Sequence, residues 1–95
     1  VRTIWKFQVP VTDISKIQMP VGARIMALKD TEGYGDIPVW AVVESDAPLV
    51  SRIFYIVGTG NPMTVLEEAH DYHYIGTVTQ AQGALVWHVF DGGEV

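Results

Sequence analysis

Seven short stretches of alternating or densely apolar residues, nearly every one closed off by a Gly- or Pro-bearing turn, leave this chain little room for a long helix. Thr3 to Val11 sets Trp5, Phe7, Val9 and Val11 at spacing two with Lys6 and Gln8 between them, the period of a strand with one buried face. Asp13 to Met19 alternates again before Pro20-Val21-Gly22-Ala23, a turn in which Pro fixes one φ and Gly frees another. Arg24 to Lys29 and Pro38 to Glu44 give two further strands, joined by a polar, Gly-bearing loop from Asp30 to Asp36 that reads as mobile. Val50 to Val57 is the most strand-like segment, apolar on both parities and therefore expected in the middle of a sheet.

After Gly58-Thr59-Gly60-Asn61-Pro62, Thr64 and Glu67 have the spacing of a capping box, which predicts one or two helical turns. Tyr72 to Thr79 and Ala84 to Phe90 form a closing hairpin, and Asp91-Gly92-Gly93-Glu94 reads as a frayed end. Short strands at this spacing predict one mainly β domain spanning residues 1–95, a small antiparallel sandwich or barrel of about seven strands.

Composition then excludes whole classes of function. There is no cysteine, so disulfide frameworks, thiolate nucleophiles and Cys-based zinc sites are absent. The longest apolar run, Pro38 to Val43, falls far short of the roughly 18 residues of a membrane helix. No signal-peptide stretch opens the chain, and the expected location is a cytoplasm. The net charge of −5 disfavours nonspecific nucleic-acid binding, which relies on Lys and Arg against phosphate.

A resemblance rests on the order of several motifs: Thr3-Ile4-Trp5-Lys6-Phe7, Met19-Pro20-Val21-Gly22-Ala23-Arg24-Ile25, Trp40-Ala41, Gly58-Thr59-Gly60, Tyr74-Ile75-Gly76-Thr77, and Gly83 through Phe90. Together they resemble a family of small phage and prophage proteins classed as a domain of unknown function. The resemblance spans almost the whole chain and implies a viral origin, with the host cytoplasm as the place of action. It brings no catalytic residues.

Few residues point to chemistry. Gly58, Thr59, Gly60 and Asn61 follow a strand and precede the expected helix, a context in which backbone amides cradle an anion, but also one that a turn needing positive φ explains. Lys6 and Arg52 each interrupt an apolar strand, either as snorkelling edge residues or as cations facing that anion. His70, His73 and His88 converge only if His70 lies in the loop and pairing of Thr79 with Ala84 sets His73 diagonally beside His88, so no metal ligand set is assigned. Trp5, Trp40 and Trp87 are expected in the core.

No nucleophile–base–carboxylate order or acid/base carboxylate pair is visible, so a non-enzymatic protein needing no cofactor is expected. Two function classes stay open. One is a viral accessory protein that binds a host component, either a sponge for a nucleotide-type immune signal or an inhibitor of a host protein. The other is a structural or accessory virion protein. Exposed strand edges on the first strand and closing hairpin suggest a homo-oligomer, most simply a twofold dimer, with any small anionic ligand held where Gly58 to Asn61 of one subunit meets Lys6 or Arg52.

Overall fold

The computed structural model describes residues 1–95 and contains seven strands and one short helix. The strands are β1 (Arg2–Val9), β2 (Ile14–Pro20), β3 (Arg24–Leu28), β4 (Ile37–Glu44), β5 (Leu49–Gly58), β6 (His73–Gln80) and β7 (Leu85–Glu94), with α1 (Thr64–Glu67) between β5 and β6. They form two antiparallel sheets, ordered β1-β4-β3 and β2-β5-β7-β6. Face to face these make a sandwich, and β5 and β7 are interior strands as their two-sided apolar sequences require. No helix is long and apolar enough to cross a membrane.

The core follows from strand parity. On β4, Ile37, Val39, Ala41 and Val43 are buried and alternate with residues facing outward. They meet Val9, Met19, Phe54, Ile56, Val78 and Val89 in one cluster between the sheets. The opposite parity of β5 builds a second cluster on the outside of the four-stranded sheet, where Tyr55 and Val57 pack beneath Leu66 of α1. The tryptophans divide differently from the expected uniform core. Trp87 packs against the main cluster, Trp40 faces outward beneath Lys6, and Trp5 is 38% exposed on the part of β1 that the other sheet does not cover.

Four other expectations are corrected. The residues Asp91 to Glu94 do not fray: β7 runs on through a bulge at Gly92, pairing Gly93 with Ile53 and Glu94 with Arg52. The bulge needs glycines. Gly93 has φ +86°, and a Cβ on Gly92 would fall 2.5 Å from the Tyr55 ring. The capping box does not form, because Met63 is the N-cap and no side chain bonds the helix start. The closing hairpin pairs Thr79 with Val86 rather than with Ala84, because Ala81 and Gln82 adopt φ 52° and 56° in its turn.

Finally, the loop from Asp30 to Asp36 is tied down. Amides of Thr31, Ala81 and Gln82 bond carbonyls of Thr79, Gly33 and Glu32, Thr79 N–H donates to Asp30, and the buried Gln80 side chain donates to the Gly35 carbonyl. This loop thereby caps the β6 edge at Thr79, beside the hairpin turn.

Candidate functional site

Residues 58–61 form a tight turn. Gly60 adopts φ +86° at its third position and the Asn61 amide donates to the Gly58 carbonyl at 3.0 Å, the geometry that demands glycine there. The Thr59 amide donates to Val86. Two of the four amides of the turn, those of Thr59 and Asn61, are therefore spent within the chain. Gly58 is required for a different reason, since a Cβ would lie 2.9 Å from the Trp87 ring. Beside the turn lies a hollow of about 430 Å³, with Ile56, Val57 and Trp87 as apolar walls and Thr12, Asp13, Asn61 and Thr64 as polar ones. Its one charged wall residue is an acid.

Thr59 links this turn to a line of hydrogen-bonded groups on the outside of the four-stranded sheet. Its hydroxyl lies 2.7 Å from His88 Nε2, His88 Nδ1 lies 2.9 Å from the Thr77 hydroxyl, and that hydroxyl lies 2.5 Å from the Tyr74 hydroxyl. Both ring nitrogens are thus occupied, one donating and the other accepting when the ring is neutral. Tyr74 reaches the row because β6 bulges between Tyr74 and Gly76: residues three apart on a regular strand face opposite ways, and the extra residue Ile75 brings Tyr74 round to the side of Thr77. Phe90 stands between Tyr72 and Tyr74, edge-on to each with centroids 5.7 Å away. Tyr74 remains 61% exposed.

The same bulge separates the histidines. His73, one residue before Tyr74, turns to the other side, opposite Asp91 in the ladder and 3.5 Å from Asp71, while His70 is exposed in the loop before β6. They do not converge on His88.

The two cations singled out by sequence lie elsewhere. Arg52 shares the inward face of β5 with Phe54 and Ile56, at the end remote from Gly58, six residues or about 20 Å along the strand. Its Nε and Nη2 donate to the two oxygens of Asp91 at 2.9 and 2.6 Å, and its Nη1 donates to the Ala23 carbonyl at 2.7 Å. Both side chains are shielded, 12% and 15% exposed. Burial pushes the Asp91 carboxyl up, but hydrogen bonds from Arg52 and the Gly93 amide, with the fields of Arg52 and His73, outweigh it and hold the group below its ordinary value. The hydrogen bond to Asp91 correspondingly raises Arg52. Arg52 is a clasp joining the β2–β3 turn to β5 and β7. Lys6 lies on the other sheet, its ammonium 5.8 Å from the centre of the Trp40 ring.

The structure therefore keeps Gly58, Thr59, Gly60 and Asn61 together as one turn and, within the chain, sets Lys6 and Arg52 apart from it. Sequence reasoning missed Tyr74 and Thr77 as companions of His88; Gly76, whose missing Cβ admits Leu28 at 3.1 Å, was the local sign of the bulge that assembles them. A family model described as Domain of unknown function (DUF7352) matches residues 1–94. No curated protein and no solved structure matches the chain.

Proposed function

This chain belongs to that family of unknown function, and from that premise we propose that it is a phage accessory protein that acts by binding a host protein. The observation that carries the reading is the outer face of the four-stranded sheet, where Tyr72, Tyr74, Thr77 and His88 stand in one row ending at the 58–61 turn. Tyrosines offer large, rigid, amphipathic contact area at small entropic cost, and the imidazole, with both ring nitrogens engaged by hydroxyls, holds the row in place. A host protein fits better than a nucleotide-type signal, because the turn spends two of its four amides internally and the hollow beside it presents Asp13 instead of a cation. Binding also fits better than catalysis: behind His88 stands the Thr77 hydroxyl, where an activating carboxylate would stand behind a strong general base.

The test is a comparative capture from extract of the bacterial host, with wild type and a Tyr74→Ala/His88→Ala double variant of equal melting temperature, combined with native mass spectrometry. The expected result is a host protein that binds wild type stoichiometrically and is lost from the variant. Retention of a nucleotide-sized molecule, or equal capture by both proteins, overturns it.

A further inference from the structure

Four of the chain's six Lys and Arg lie on one surface. On the three-stranded sheet, strand register aligns Arg2 with Glu44, Ile4 with Val42 and Arg24, Lys6 with Trp40 and Ala27, and Gln8 with Pro38. Lys29 continues the last row through its amide bond to the Pro38 carbonyl. The face thus carries Arg2, Lys6, Arg24 and Lys29 around Ile4, Val42 and Trp40, with Glu44 beside Arg2 at 3.4 Å. No layer covers it. The net charge of −5 conceals this segregation.

Beside this face runs an open edge. The Ser45 amide bonds the Val1 carbonyl, and this register turns the backbone groups of Thr3, Trp5 and Phe7 toward β4 while those of Arg2, Ile4, Lys6 and Gln8 face away from it. Burial along β1 is low from Arg2 to Lys6 and complete only at Val9, so the first half of the strand projects beyond the other sheet. Other edges are blunted: β3 is short and bulged at Met26, the 30–36 loop caps β6 at Thr79, and β2 ends in Pro20.

We propose that this edge of β1 accepts an extended segment of another protein, added as a strand, with acidic side chains four residues apart on either side of an apolar one. The pattern follows from the edge. Arg2, Ile4 and Lys6 are the consecutive residues whose backbone groups face the vacancy and whose side chains face outward, so an incoming strand places an acid by each cation and an apolar residue by Ile4, itself 51% exposed. A second copy does not fit, since antiparallel β1 strands centred on Ile4 set Arg2 of one copy against Lys6 of the other. Nucleic acid fits less well, because Ile4, Val42 and Ala27 offer bases no aromatic platform and Trp40 lies beneath Lys6. This surface shares no residue with the His88 row, so either reading can fail without the other.

The probe is a fluorescein-labelled peptide of repeated Glu-Thr-Val-Thr-Glu sequence, titrated by anisotropy into wild type, Lys6→Glu and Arg2→Glu, each checked for an unchanged melting temperature. We expect binding that weakens as salt is raised, a loss of about tenfold for either variant, and slowed amide exchange at Ile4, Lys6 and Gln8 in the complex. Absence of binding, equal binding by the variants, or unprotected β1 amides overturns the proposal. Displacement of the peptide by an equal concentration of oligothymidine also overturns it, in favour of a nucleic-acid surface.

Discussion

Arg52 shows how a residue type can suggest a ligand and serve the fold instead. A cation in an apolar strand must find an anion, and here it finds Asp91 on the adjacent strand and a carbonyl of the β2–β3 turn. Replacing Arg52 by Met leaves Asp91 shielded and unpaired, a loss of about 3 kcal/mol expected in urea unfolding, whereas Arg52→Met with Asp91→Leu should cost less than the single change. Because the folded-state value of Asp91 is depressed, its contribution is complete above the ordinary carboxylate range, near pH 4, and is lost as pH falls through the lower folded value. Wild type should therefore lose stability below about pH 4 more steeply than Asp91→Asn. Equal slopes in denaturant titrations over that range would remove the clasp from the account.

At the scale of elements, alternation made the strands legible and bulges hid the site. The period-two runs around Trp5 and Ile17 and the two-sided runs of β5 and β7 predict strands that the fold contains, because burial on one face or two writes itself directly into residue order. A bulge inserts one residue without changing composition, so Ile75 and Gly92 altered facing where the alternation gave no warning. That is why residue order does not set Tyr74 beside His88, and why the Gly-Gly end reads as loose. The docking of the Asp30 to Asp36 loop was equally hidden, since it depends on backbone partners nearly fifty residues away. Gly92→Ala tests the bulge: with Tyr55 and Ile53 against the missing Cβ, it should cost about 1–3 kcal/mol. A neutral result in thermal unfolding would show that this end of β7 is loose after all.

For the whole molecule, the surface of 5635 Å² is close to the roughly 5,400 Å² of an ordinary monomer of this mass. Of the two edges that suggest a twofold dimer, the first strand is lined by cations and the closing hairpin is capped by a loop around Thr79 and its turn. The repulsion of Arg2 against Lys6 opposes a dimer built on two β1 edges, and sedimentation yielding a dimer would show that other surfaces supply the contact. What remains uncovered is a tyrosine–histidine face on one sheet and a cationic face with an open edge on the other. The central claim is that the first of these engages a host protein. It is tested most directly by amide hydrogen exchange on the chain alone and in complex with the captured host partner. New protection is expected in residues 58–61, 72–79 and 86–90; a complex in which those segments exchange as freely as in the isolated chain would place the host protein on another surface.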